Sequence, residues 1–359
     1  MAGKNQHYIP QFLQRGFSCQ PAQGFAPKSK KDNKNAQIWL FKRESAKIAH
    51  IRKEGAENYF YGSKSSDVDK TITDAESSYG KLVNTLRTHT GDAPVQANNI
   101  PELIAHMISR TKHIREIMRN LGDSALDILR SSLPNADDLV NFLISDLRKN
   151  PDKIGVGLPV EQQQILVKLI QDDPQLIKNL IGDQFGKDIH LALSDTLLDS
   201  KGNINNLVKD AHIDSLIESI EPQIRVDRLR GLHWFISVKE PNSYILSDSL
   251  VMFQHTDGNY SSFWAVNEEI KYVFLPISSQ HLLVGTKAIE APLINPEDIN
   301  YASACLSSDF FISSQNTKRE VLYQQDLGKK CSDFIDEKNI EMETISNQYW
   351  HTQIHGMGK

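Results

Sequence analysis

Aromatic side chains are placed unevenly along this chain, and that limits what each part can become. Phe, Tyr and Trp number 28, yet only Phe142 and Phe185 fall between Asp123 and Arg225. Strands favour aromatic and β-branched residues, so a long stretch almost without rings is poorly suited to a sheet. Its apolar residues instead recur at helical spacing. Leu139, Val140, Leu143, Ile144 and Leu147 follow a capping Asn135, with Asp138 three residues on, and Asn150-Pro151 stops the run. Asp173-Pro174 opens a second helix with proline at its first position, and Leu176, Ile177, Leu180 and Ile181 form its stripe. Further helical patterns cover 161–171, 188–198 and 205–220.

The flanks read differently. Residues 37–41 and 47–51 pair as a hairpin. Aromatic and β-branched runs at 234–238, 244–246, 272–275 and 282–284 are separated by Pro, Asn, Ser and Gly. They predict an antiparallel sheet that the hairpin joins, with residues 299–312 as a helix closing it. The expected fold is therefore α+β: an antiparallel sheet with flanking helices and an inserted all-helical subdomain. Residues 1–122 are the N-terminal part of the mixed domain and 123–225 the helical insertion. Residues 226–325 are the β-rich C-terminal part of the same domain, and 326–359 a polar tail.

A composition of 39% hydrophobic and 24% charged residues allows a sizeable core and excludes a predominantly disordered chain. No apolar run reaches the ~20 residues of a membrane-spanning helix, so no membrane partner is expected. Met1–Arg15 lacks the zones of a secretory signal, and Cys19, Cys305 and Cys331 are odd in number and far apart. These features predict a cytoplasmic location. Net charge is −5, but Met1–Glu54 holds eleven Lys/Arg against three Asp/Glu, which leaves −13 for the remainder. A basic segment on an acidic body suits phosphate groups. Lys28, Lys30, Lys31 and Lys34, set among Pro, Ser, Asn and Asp, read as a solvated loop. The phosphate loop, His-Glu-x-x-His and Gly-x-Ser-x-Gly are all absent.

The sharper signals are charged residues inside apolar patterns. Over the helix predicted for 101–121, Leu103, Met107, Ile114, Ile117 and Leu121 form the stripe, and Arg110 falls within it. A guanidinium facing a core needs a carboxylate or an anion, because an unpaired buried charge costs on the order of several kcal/mol. His106 and His113 lie along one flank of the stripe, at the solvent edge. Glu76 borders the apolar face formed by Val68, Ile72, Tyr79, Val83 and Leu86. With Arg110 it makes either a structural ion pair or the acid and cation of a substrate pocket.

In the N-terminal segment, Pro10 opens a short turn, Gly16 ends it, and Phe12, Leu13 and Phe17 anchor it. That fixes His7 at the start and Arg15 near the end. Ser247-Asp248-Ser249 follows a strand, where Asp248 serves as a metal ligand, a general base or a turn-former. With Glu269-x-Lys271 downstream, Asp248 matches in short form the metal-and-lysine pattern of one nuclease class.

Taken together, these landmarks resemble the domain of unknown function 4238 family. The resemblance rests on His7-Tyr8-Ile9-Pro10-Gln11-Phe12 with Arg15 and Phe17, then Glu57-Asn58-Tyr59-Phe60-Tyr61, Glu76 and Arg110-Thr111. It continues through the Trp234 strand, Ser247-Asp248 and Phe274-Leu275-Pro276-Ile277-Ser278. The chain departs from it at Ser249-Leu250, where members often carry Asn-Pro, and at Lys112, where they often carry Pro. The shared polar landmarks imply one pocket suited to a phosphate-containing substrate, nucleic acid or nucleotide. In it, Arg15 and Arg110, with Ser247, bind the substrate, His7 and Glu76 move protons, and Asp248 holds a divalent metal, magnesium or manganese. The expected function is a hydrolase of the nuclease or phosphodiesterase type, in the manner of a defence or toxin effector. The alternative is a non-catalytic sensor or interaction protein that binds an anionic ligand.

Overall fold

In the computed structural model, which describes residues 5–19, 36–62, 67–96, 99–154, 156–264 and 269–355, the aromatic-rich flanks build two larger sheets and a small one. The four basic residues Lys28, Lys30, Lys31 and Lys34 lie outside the described residues. The strands in chain order are β1 (Asn5–His7), β2 (Gln37–Lys42), β3 (Ser45–His50), β4 (Ala56–Asn58), β5 (Ala93–Val95) and β6 (His233–Val238). They continue with β7 (Leu246–Ser247), β8 (Met252–His255), β9 (Tyr260–Ser261), β10 (Ile270–Pro276), β11 (His281–Thr286) and β12 (Phe310–Ser313). The helices begin with α1 (Gln11–Gln14), α2 (Asp67–Leu86), α3 (Ile100–Ser109), α4 (Lys112–Ser131), α5 (Ala136–Lys149) and α6 (Val160–Asp172). After these come α7 (Pro174–Glu218), α8 (Gln223–Arg230), α9 (Pro296–Leu306), α10 (Lys318–Gln325) and α11 (Asp333–His355). The fold is α+β, and every strand pair is antiparallel.

The predicted single sheet is in fact two. Strands order as β5-β6-β11-β10-β8-β9 in one and β3-β2-β12-β7 in the other, so the N-terminal hairpin joins the second. What draws it there is β12. Residues 310–312, Phe-Phe-Ile, were expected to end a helix, but that helix stops at Leu306 and they form a strand between β2 and β7. Phe311 then stacks on Phe41 with ring centroids 4.8 Å apart. Aromatic cross-strand packing of this kind favours the strand over continued helix.

The chain divides into two compact units. Residues 1–118 with 208–334 form a mixed unit, and residues 119–207 with 335–359 form a helical one. The mixed unit's core includes Ile9, Leu13, Phe17, Phe60, Tyr61, Phe253, Trp264 and Phe274. In the helical unit, Val140, Ile144, Ile154, Ile170 and Ile177 pack together. Asn135 caps α5 as expected, its side chain accepting from Asp138 N–H at 2.9 Å. Three separate helical patterns at 174–181, 188–198 and 205–220 merge into the 45-residue α7. No proline interrupts the chain between Pro174 and Pro222, so nothing in the backbone forces a stop. Gly186 lets α5 and α7 approach: a Cβ there would lie 2.8 Å from the carbonyl oxygen of Ala136.

The break that matters most for the site lies at Arg110-Thr111. One helix over 101–121 was expected, but α3 ends at Ser109 and α4 begins at Lys112. Thr111 caps α4, its hydroxyl accepting from Ile114 N–H at 3.2 Å. Lys112 thus occupies the first helical position, where proline is also accommodated, and the residue that departs from the family pattern still starts a helix.

Candidate functional site

The N-terminal segment is held in place by two devices the sequence signals only indirectly. First, β1 pairs with β4, opposing His7 to Ala56, and Gln14 Nε2 donates to the carbonyls of Ile9 and Glu54. Gly55, at φ +62°, makes this approach possible, since a Cβ there would sit 2.6 Å from that of Ile9. Second, Arg87 from the end of α2 is buried against the end of α1. Its guanidinium donates to the carbonyls of Phe12 (2.9 Å), Leu13 (3.3 Å) and Ile277 (2.8 Å). Gly16 leaves room for it: a Cβ would meet the guanidinium at 2.5 Å and Ser278 Cα at 2.8 Å. The turn that carries Arg15 is therefore clamped from both sides.

Glu76 reaches from α2 to Arg110, whose Nη1 lies 2.5 Å from Glu76 Oε1. Arg110 is wholly buried, while Glu76 keeps about a quarter of its side chain exposed. The same Nη1 is 3.3 Å from His106 Nε2, and Nη2 donates to the carbonyl of His7. Tyr61, from the landmark after β4, donates to the carbonyls of both His7 (3.1 Å) and Arg110 (3.2 Å). His212 Nε2 lies 2.8 Å from the carbonyl of Ser109, so the last carbonyls of α3 are satisfied by side chains from elsewhere in the chain. Arg115 locks this floor, stacking on Phe60 at 3.8 Å and donating to its carbonyl at 2.8 Å.

His7, Arg15, Glu76 and Arg110 thus come together. Glu76 and Arg110 are electrostatic neighbours of His7, and Glu76 is also a neighbour of Arg15. The His7 ring faces Gln11, with Nε2 3.2 Å from the Gln11 amide nitrogen. The backbone of Ile51 and Arg52 lies close enough to the imidazole to favour its charged form, against the larger effect of burial. Burial lowers the His7 pKa below 6.5; Arg110 adds to this and Glu76 opposes it. The imidazole is consequently neutral near pH 7.

Asp248 and Ser247 are built into a different network. Ser247 is buried and exchanges a hydroxyl hydrogen bond with Ser249 at 2.7 Å, and the Ser307 hydroxyl donates to it at 3.1 Å. Asp248 accepts backbone N–H from Ser308 (2.9 Å), Asp309 (2.6 Å) and Phe310 (3.2 Å). Of the three roles open to it, turn-forming is the one its contacts describe. Burial still dominates those bonds and raises its pKa to about 7. Glu269 pairs at the surface with Lys287 at 3.3 Å and Lys271 lies over the Tyr272 ring, so neither forms a bonded group with Asp248. Among the described residues, no group of three or more His, Cys, Asp or Glu is placed to hold a metal ion.

Leu250, two residues on, sits at φ +64°. A proline, fixed near φ −65°, could not take this conformation, so the turn here differs from a Pro-bearing one.

His106 and His113, expected at a solvent edge, are both buried. Their periodicity placed them beside the stripe, but the kink after Ser109 turns His113 inward. Gln11, Tyr61 and Arg87 are the site's neutral and hidden members. Gln11 and Tyr61 stand within the landmarks, but neither carries a charge that would flag it in an apolar pattern.

No curated protein and no solved structure matches the chain. Over residues 5–319 it matches the family described as a protein of unknown function (DUF4238), which spans every residue of the site. The chain belongs to that family, and the match covers the whole His7–Arg15–Glu76–Arg110 cluster.

Proposed function

We propose that the protein is a hydrolase acting on a phosphate-containing substrate, a nucleic acid or a nucleotide, at the His7 cluster. The observation that carries this reading is the imidazole itself: half-buried, with its pKa lowered by burial, and beside the Glu76–Arg110 pair, whose Glu76 is also a neighbour of Arg15. In the reaction, the neutral imidazole takes a proton from a water whose oxygen attacks phosphorus. The bond from phosphorus to the leaving oxygen breaks, and the imidazolium returns that proton to it. Arg15 binds the phosphate oxygens. Gln11, within hydrogen-bond reach of Nε2, orients the ring. Arg110, wholly buried, holds Glu76 and the His7 carbonyl in position from behind.

One observation favours a second reading. Arg110 is enclosed by Glu76, His106, His7 and Tyr61, as a purely structural ion pair would be. Product analysis by liquid chromatography and mass spectrometry separates the two. Wild type, His7→Ala and Arg15→Gln are incubated with DNA, RNA and a nucleotide pool, with and without magnesium or manganese. Hydrolysis predicts new products from wild type, none from His7→Ala, and a raised KM in Arg15→Gln. No product from folded wild type in any mixture would sink the proposal. Strong coupling of Glu76→Ala with Arg110→Leu in melting temperature would then identify the cluster as structural.

A further inference from the structure

The second network, around Asp248, is tied to the first through a short chain of bonds. The three backbone donors that Asp248 accepts belong to residues 308–310, the end of the loop after α9 and the first residue of β12. That loop grips the start of α4. Asp309 accepts from Lys112 Nζ at 2.7 Å, and the Ser308 hydroxyl bonds His113 Nδ1. His113 Nε2 meets the Ser262 hydroxyl at 2.5 Å, so the buried imidazole is held on both sides. Lys112 and His113 follow directly on Arg110-Thr111, the break that puts the Arg110 guanidinium against Glu76 and the His7 carbonyl. A second link runs through Tyr8: next to His7 in the chain, it has Asp248, Asp309 and Glu116 as electrostatic neighbours.

We infer that Asp248 and His113 are positioning residues for the His7–Glu76–Arg110 cluster, acting through the 308–310 segment on the α3–α4 break. Asp248 orders the loop, the loop fixes the first turn of α4, and that turn sets where Arg110 can reach. Asp248 touches no substrate in this role. The inference holds whatever chemistry the His7 cluster performs, because it concerns only how the cluster is held. It also accounts for two polar landmarks far apart in the chain, Arg110-Thr111 and Ser247-Asp248, being parts of one mechanical unit.

The test reads the His7 imidazole by NMR titration, with its signal assigned by its loss in His7→Gln. The wild-type ring titrates below the ordinary histidine value. In Asp248→Asn, Arg110 loses its fixed place and the cluster opens, so the His7 pKa rises toward 6.5. Ser308→Ala, which removes only the hydroxyl on His113, shifts it in the same direction by less. Leu283→Ala in β11 lowers stability away from this chain of bonds and leaves the His7 pKa where it was. If Asp248→Asn fails to fold, Ser308→Ala carries the test. An unchanged His7 pKa in folded Asp248→Asn overturns the inference. So does an unchanged value in Ser308→Ala when Asp248→Asn does not fold, or an equal rise in Leu283→Ala.

Discussion

The mixed unit buries Phe17, Phe41, Phe60, Phe253, Phe274 and Trp264 to 2% exposure or less, whereas the buried cluster of the helical unit is five aliphatic residues. Around that thin cluster, Val156, Val160, Ile165 and Leu191 stand more than half exposed. Rings remove large areas from water and interlock, while isolated aliphatic contacts between helices leave room to rearrange. The cluster at His7 sits on the densely packed side, where its geometry can be held to the tolerance that proton transfer needs. The helical unit offers no such frame.

The largest difference should appear in core truncations. Phe253→Ala is expected to cost about 3–5 kcal/mol, through lost burial and a cavity that rigid neighbours cannot close. Ile144→Ala should lie at about 2 kcal/mol, the low end for such changes, because its surroundings can settle around the gap. Denaturant unfolding followed by a probe in each unit measures both. Equal costs would break the comparison.

Acid should sharpen it. Burial lowers His106 to about 3, and His113 and His212 to about 4, from an ordinary 6.5, and all three lie in the mixed unit. Below pH 6.5 the unfolded chain binds protons that these folded imidazoles refuse. Their contribution to stability is complete above pH 6.5 and is lost as pH falls toward 4. Asp248 runs the other way: raised to about 7, its folded carboxyl keeps a proton that the unfolded chain releases near 3.8. That contribution is complete at low pH and lost as pH rises toward 7. Near pH 5.5 these three imidazoles, joined in direction by His7 and His281, outweigh Asp248, so about two or more net protons are taken up on unfolding. The mixed unit should then lose about 2–3 kcal/mol per unit of acidification. Melting curves between pH 7 and 5 would show this. A flat profile would mean that the imidazoles are not held neutral.

What could be read from the sequence followed the strength of local signals. The Asn135 cap and the hairpin of β2 and β3 rest on neighbouring residues, and periodicity reports those well. Glu76 and Arg110 were legible as a pair because each was a charge in an apolar stripe. β12 was not, because three apolar residues after a helix suit either state until Phe41 and Leu246 supply partners. Arg87 was invisible for a similar reason. It ends a helix like many surface arginines, and only the carbonyls of Phe12, Leu13 and Ile277, up to 190 residues away, show what it does.

The smallest predicted effect tests the place where pattern and structure parted most consequentially. Lys112→Pro puts proline at the first position of α4, where a missing N–H leaves no intrahelical bond unmade. The preceding Thr111 is an N-cap, a position whose extended backbone proline tolerates. The substitution gives up the Lys112 pairs with Asp309 and Glu116, which are partly exposed and worth about 0.2–1 kcal/mol each at most. Proline offsets part of this by restricting the unfolded chain. A net loss below about 1 kcal/mol in denaturant unfolding is the expected outcome. A helix running unbroken through Arg110 would instead lose ~3 kcal/mol or more, since proline would remove an internal hydrogen bond and clash with the preceding turn. A loss of that size would take Arg110 out of its position at the end of α3, and with it the contact to Glu76 on which the cluster depends.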